Sequence, residues 1–174
     1  MKLILITGHC REGKSYLTTK LHELTHIPHF ALADELKLMT NELFAIFGTT
    51  PFEEKESMRP FYQIIGTEIC RKHFGDDIWC EVLERKINAL STNFAIITDI
   101  RYINEYAYFK RRYECFTIRC HKKEIDNEPI LAHSSEQQIA SIPVDYTFEN
   151  ADNEVEFEYN ISLLLVAILN HFAA

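Results

Sequence analysis

Gly8-His9-Cys10-Arg11-Glu12-Gly13-Lys14-Ser15 follows directly on the apolar run Leu3-Ile4-Leu5-Ile6 and has the spacing G-x-x-x-x-G-K-S. That spacing suits a phosphate-binding loop. The two glycines let the backbone curl with its N–H groups inward, the lysine reaches the outer phosphates, and the serine hydroxyl can bind a divalent cation. Such a loop needs a strand before it and a helix after it. The apolar run supplies the first, and Ser15 to Leu24, with Leu17, Leu21 and Leu24 at helical spacing, supplies the second. The N-terminus of that helix adds partial positive charge. The plainer alternative is a glycine-containing surface turn, with Cys10 a small filler rather than a nucleophile.

Working outward, 174 residues suit one domain with a substantial core. A formal charge of −8 argues against a general nucleic-acid or anionic-membrane surface, so phosphate recognition must come from local Lys and Arg clusters and the ligand should be small. No run of 18 apolar residues and no signal-type segment occurs, which predicts a soluble, cytoplasmic protein without a membrane partner. The five cysteines, Cys10, Cys70, Cys80, Cys115 and Cys120, lack paired metal spacing and are expected reduced.

Along the chain, His29 to Ala33 reads as a second strand, with Asp34 capping a helix from Glu35 to Phe47. Leu36, Met39, Leu43, Phe44 and Phe47 give that helix an apolar face expected to be core, with Lys37 off it. After a polar loop from Thr49 to Ser57, Arg59-Pro60 opens a helix to about Phe74, and another fits Ile78 to Leu90. Phe94 to Thr98 is a buried strand followed at once by Asp99 and Arg101, and Tyr102 to Arg112 is a helix. Cys115 to Cys120 is a strand, Ser134 or Ser135 can cap a short helix, Val144 to Phe148 is the last strand, and Asn153 to Phe172 is a long helix. Alternating strands and helices predict an α/β fold, three layers with a parallel sheet between helices, and ligands at the carboxyl ends of the strands. On that rule the phosphate loop, Asp34, Asp99 to Arg101 and Asn150 converge on one edge.

Several segments together resemble the deoxynucleoside monophosphate kinases of the P-loop nucleotide kinase group. They are Gly8 to Ser15, Ala33-Asp34-x-x-Lys37, Arg59-x-x-x-Gln63-x-x-Gly66-Thr67-Glu68-x-x-Arg71, Trp79, Thr98-Asp99-x-Arg101-x-x-Asn104-Glu105, and His133-x-Ser135-Glu136. The resemblance implies a P-loop kinase domain with substrate-binding helices over about 34–90 and a short lid over about 121–136. It implies ATP and Mg²⁺ as cofactors, with a small nucleoside monophosphate as acceptor. Lys14 and Gly8 to Tyr16 would hold the ATP phosphates, Ser15 and Asp99 the metal, and Asn150-Ala151 the adenine. Asp34, Lys37, Arg59, Gln63, Arg71, Trp79, Asp99, Arg101 and Glu136 would serve the monophosphate, with Lys14, Arg59 and Arg101 catalytic. The chain departs from the family where an arginine-bearing lid is expected, offering Arg119, Lys122, Lys123 and His133 instead.

Each assignment has a bland rival. Arg59 could be a solvated first-turn residue, Arg71 could pair with Glu68 at i, i+3, Asp99 could cap the next helix, and Asp34 could be only a cap. Trp79 could be core and His133 could be a loop histidine beside Glu136. Another small-molecule kinase, of the dephospho-coenzyme A or phosphomevalonate type, and a non-catalytic ATP-holding switch are competing readings. The sequence leaves the accepted bases and homodimer formation open.

Overall fold

A computed structural model describes residues 1–48, 58–122 and 137–173, with Arg59 described by its backbone alone. In chain order the elements are β1 (Lys2–Thr7), α1 (Lys14–Thr25), β2 (His29–Ala31), α2 (Asp34–Ile46), α3 (Arg59–Gln63), a π-helical stretch (Ile64–Arg71), α4 (Lys72–Phe74) and α5 (Ile78–Asn88). There follow β3 (Phe94–Ile100), α6 (Ile103–Lys110), β4 (Glu114–His121), a 3₁₀ turn (Ile139–Ser141), β5 (Tyr146–Glu149) and α7 (Glu154–Ala173). The chain divides into two compact units, Met1–Phe30 with Ser91–Ala174, and Ala31–Leu90.

The first unit is built on a five-stranded sheet of order β2-β3-β1-β4-β5. β1 pairs in parallel with β3 and β4, and β4 in parallel with β5. Because β1 is central it is covered on both faces, which is why Leu3 to Ile6 is a continuous apolar run with no more than 1% exposure at any position. Ile4 and Ile6 face one side, where Leu17 and Leu21 of α1 and Phe157, Ile161, Leu164 and Ile168 of α7 join the same core with Phe116, Ile118 and Phe148. Each such buried aliphatic side chain contributes roughly 1.5–3 kcal/mol. Leu3 and Leu5 alternate to the opposite face, and Phe109 of α6 is likewise fully buried.

Parallel pairing brings the carboxyl ends of β3, β1, β4 and β5 to one edge of this unit. β3 extends past the predicted Thr98, so Asp99 lies inside the strand's last turn of pleat rather than after it. The register slips there: Leu5 stands opposite Ile97, but Thr7 stands opposite Ile100. Asp99 absorbs the extra residue at φ 62°, a left-handed conformation uncommon for a non-glycine side chain, and the Thr7 hydroxyl closes the gap by donating to the Ile100 carbonyl at 2.6 Å.

The second unit is helical. Its α5 buries Trp79, Cys80, Leu83 and Ile87 along one stripe. The helix predicted from Arg59 to Phe74 has that extent, but its middle is wound as a π-helix, with only Gly66 and Cys70 buried. Local sequence carries no signal for this. The reason is tertiary: the Trp79 indole N–H donates to the Gly66 carbonyl at 3.1 Å, and a Cβ on Gly66 would stand 2.7 Å from Leu36 Cδ2. The expected core face of α2 needs correction. Leu36 and Thr40 are buried, while Met39, Leu43 and Phe47 are 41%, 45% and 72% exposed. The Thr40 hydroxyl is satisfied by the Leu36 carbonyl, and Phe44 stacks edge-on to Phe61. Asp34 does not cap α2; it is the first helical residue, its carboxylate accepting the Ala31 N–H at 3.0 Å. Among the described residues no helix is long and apolar enough to cross a membrane.

Candidate functional site

The loop after β1 has the backbone shape its spacing predicts. Gly8 and Gly13 have φ of 142° and 88°, and Arg11 between them also has a positive φ, 69°. Both glycines are required by close approach as well as by φ. A Cβ on Gly8 would lie 2.5 Å from the Cys120 carbonyl oxygen, and one on Gly13 would lie 2.0 Å from Asn150 Nδ2. Gly13 is the N-cap of α1 and no side chain caps that helix. Lys14 opens α1 and is 7% exposed, and its ammonium donates to the Gly8 and His9 carbonyls at 2.8 and 2.7 Å. The loop thus holds its own cation over its mouth. Ser15 and Tyr16 lie exposed in the first turn.

Glu12 is the hub that the sequence did not single out. It is 5% exposed, and its carboxylate accepts the His9 N–H and stands 3.3 Å from His121 Nδ1 at the end of β4. Its backbone carbonyl accepts from the Cys120 thiol and from Asn150 Nδ2, each at 3.0 Å. Burial pushes the Cys120 thiol up to about 12, the nearby Lys14 charge only partly opposing it, so Cys120 serves as a neutral donor. A carboxylate within a phosphate loop and a Cys-His pair at a strand's carboxyl end were the available signals.

Asn150, expected to frame adenine with Ala151, sets its side chain against the loop, and its N–H donates to the His121 carbonyl at 2.7 Å. Asp99 and Arg101 lie at the same edge, 24–26% exposed and 3.6 Å apart. Asp99 does not cap α6. Tyr102 is the N-cap, and Glu105, 3% exposed, closes a capping box while also accepting the Arg101 N–H at 2.8 Å. Glu105 therefore fixes the backbone that carries Arg101.

The lid residues separate. Arg119 is an ordinary member of β4, and its guanidinium donates to the Ile139, Ala140 and Ile142 carbonyls at 3.2, 3.4 and 2.7 Å. That commitment makes it a strut for the 3₁₀ turn rather than a lid arm. Lys122 pairs with Asp152. Lys123, His133 and Glu136, and the cap expected at Ser134 or Ser135, lie outside the described residues.

In the second unit, Lys37 stands 3.5 Å from Asp34. Glu68 pairs with Lys72 and not with Arg71, whose guanidinium donates to the Asp76 carbonyl at 2.6 Å. Glu68 and Arg71 both lie within the π stretch. Trp79 is 8% exposed with its N–H committed to Gly66, so it is a core residue and no stacking platform. Gln63 is half-buried at the start of the π stretch.

Ser15 and Asp99, expected to hold Mg²⁺, both offer the hard oxygen atoms that this ion takes. Among the described residues no group of three or more His, Cys, Asp or Glu side chains could hold a metal by itself.

A parallel sheet of this order with a G-x-x-x-x-G-K-S loop at its carboxyl edge defines a P-loop kinase scaffold. Solved structures agree on the fold: shikimate kinase from Bacteroides thetaiotaomicron aligns with TM-score 0.55 at 15% identity over 95% of this chain and 97% of that one. Shikimate kinase from Aquifex aeolicus aligns with TM-score 0.54 at 17% identity over 100% of both chains, and a gluconokinase from Sinorhizobium meliloti with TM-score 0.53 at 12% identity over 99% and 97%. The sequence model of the deoxynucleotide monophosphate kinase family matches residues 43–161, and the chain belongs to that family. It is a kinase on the P-loop scaffold. No curated protein matches it.

Proposed function

We propose that the chain transfers the γ-phosphoryl group of ATP to a deoxynucleoside monophosphate, with Mg²⁺ as cofactor. The observation that carries the reading is the loop between β1 and α1, with Lys14 buried against its carbonyls, in a chain whose family acts on deoxynucleotide monophosphates. The acceptor needs no strong base, since the second pKa of a phosphate monoester is ~6 and its oxygen is largely anionic at pH 7. The barrier is repulsion between polyanions, so catalysis consists of positioning and positive charge. On ATP binding, the Lys14 ammonium exchanges the Gly8 and His9 carbonyls for phosphate oxygens, a short movement for a group already desolvated. Ser15 and Asp99 would hold Mg²⁺, which supplies charge neutralisation on the phosphates when bound. Arg101, its backbone fixed by Glu105, is assigned to the monophosphate on the family resemblance. Arg59, Gln63, Asp34, Lys37 and Arg71 are assigned to the monophosphate on the family resemblance.

The test is a coupled assay with ATP and Mg²⁺ against deoxy- and ribonucleoside monophosphates, with dephospho-coenzyme A, shikimate and gluconate as controls. Turnover with a deoxynucleoside monophosphate above all others is expected. Turnover confined to a non-nucleotide acceptor would reassign the substrate, and ATP binding without transfer to any acceptor would remove the kinase reading.

A further inference from the structure

A phosphate loop gains affinity from positive charge at its mouth, yet this one carries a buried carboxylate. Glu12 is 5% exposed, and both of its oxygens are engaged: Oε2 accepts the His9 N–H, and Oε1 stands 3.3 Å from His121 Nδ1. The fit is close, since a Cβ on Gly8 would come 2.9 Å from Oε2. The peptide that Glu12 grips is also held from its other side. Its N–H belongs to His9 and its carbonyl to Gly8, and that carbonyl accepts from the Lys14 ammonium at 2.8 Å. One amide therefore lies between a buried anion and a buried cation, which together fix its plane.

The two charges answer to a nucleotide differently. On the proposed reaction, Lys14 leaves the Gly8 and His9 carbonyls for phosphate oxygens. The Glu12 carboxylate has no such freedom. It is held by the His9 N–H and set against His121 at the end of β4, so it stays in place and repels the anion that Lys14 receives. Burial keeps that repulsion strong, because solvent and salt screen a buried charge far less than an exposed one.

His121 is placed to relieve it. Its side chain is 46% exposed, so it exchanges protons with solvent while its ring nitrogen faces the buried carboxylate. Histidine is the side chain that changes charge between pH 5 and 8. The other ionisable groups around the pair are Lys14 from α1, His9 and Arg11 on the loop itself, and Cys120, whose thiol is raised by burial. Beyond them, Lys122 is paired with Asp152, and Glu149 stands opposite His121 in the register of β5, exposed and screened by solvent. We infer that Glu12 is the counter-charge that limits how tightly this loop holds nucleotide phosphate, and that a proton on His121 relieves it. The inference rests on the loop binding ATP, as proposed above, and assigns the strength of that binding to a residue pair outside the phosphate-loop pattern.

The experiment is calorimetric titration of ATP with Mg²⁺ into the full chain, Glu12→Gln and His121→Gln, at pH 6 and pH 8, with melting temperature as the folding control. Glutamine keeps an acceptor for the His9 N–H and removes only the charge. Glu12→Gln should therefore bind ATP about tenfold more tightly at pH 8, the scale of one weakly screened unit charge near another. A residue that merely braced the loop would give unchanged or weaker binding. His121→Gln should bind about threefold or more weakly than wild type at pH 6, where the relieving proton is lost, and match it at pH 8. The titration of ATP itself is common to both proteins and cancels in that ratio. His121 is half-exposed, so this second variant decides the matter where Glu12→Gln does not fold. Unchanged or weaker binding by folded Glu12→Gln, or a ratio of wild type to His121→Gln that does not vary with pH, would overturn the inference and leave the loop an ATP site. Wild type that binds no ATP at either pH would remove the proposed function and this inference together.

Discussion

In the phosphate loop, five groups from three separate segments close on one another: the Glu12 carboxylate and carbonyl, the Cys120 thiol, the His121 imidazole and the Asn150 amide. In the helical unit Ala31–Leu90, the Trp79 indole hydrogen bond and the close approach of Leu36 to Gly66 bear on the π stretch, and much of the apolar surface of α2 is exposed. Cys120 and Asn150 both donate to the Glu12 carbonyl while His121 faces its carboxylate, so removing any one contact leaves the others in place. The helical unit is tied by contacts at different points instead: the Trp79 indole holds Gly66, Lys86 pairs with Glu35, and the Arg71 guanidinium donates to the Asp76 carbonyl.

Substitutions in the two regions should therefore separate. The largest effect is expected for Lys14→Ala, which should lower kcat a hundredfold or more, on the scale of ~3 kcal/mol per preorganised charge. Near-normal turnover of the folded variant would remove the kinase reading. Arg59→Ala should raise KM for the monophosphate about tenfold or more, the scale of a charge-assisted hydrogen bond, and leave KM for ATP nearly unchanged. Movement of the ATP value alone would transfer Arg59 to the donor side.

Gly13→Ala should weaken ATP binding and lower stability by about 1–3 kcal/mol, because an alanine at this positive φ is strained and its Cβ meets Asn150. Calorimetric titration of ATP reads the first effect. Gly13→Ala combined with Asn150→Gly should recover part of the stability, and failure to recover any would assign the loss to backbone strain alone. Trp79→Phe sharpens the contrast from the other side. It should cost about 1 kcal/mol by leaving the Gly66 carbonyl unpaired, with ATP affinity unchanged. A loss of ATP affinity equal to that of Gly13→Ala would erase the distinction between the regions.

The smallest effect concerns the buried thiols. Burial pushes Cys115 and Cys120 up to about 12, from 9.0 for a free thiol. A raised folded-state value stabilises fully below pH 9 and is lost as pH rises from 9 toward 12, because the unfolded chain ionises first. Denaturant midpoints should fall across that window, and less so in Cys120→Ser. At pH 8, iodoacetamide should modify half-buried Cys10 while sparing Cys115 and Cys120. ATP should slow the Cys10 reaction.

The sequence by itself determined the strand, loop and helix from Leu3 to Leu24, the alternation that makes the sheet parallel, and the extents of most helices. These depend on local periodicity and on glycines whose conformations have no substitute. Lys14 and the glycines of the loop were legible for the same reason. What only the tertiary structure decided was which partner each polar side chain takes. Arg119 goes to the 3₁₀ turn, Asn150 and Cys120 to the Glu12 carbonyl, Arg71 to Asp76 instead of Glu68, and Trp79 to Gly66 within a π winding. Spacing along a helix or strand specifies which face a residue occupies. The partner of a donor on that face is set by whichever acceptor the sheet edge or a neighbouring helix brings within 3 Å, and those acceptors lie up to 138 residues away in the chain.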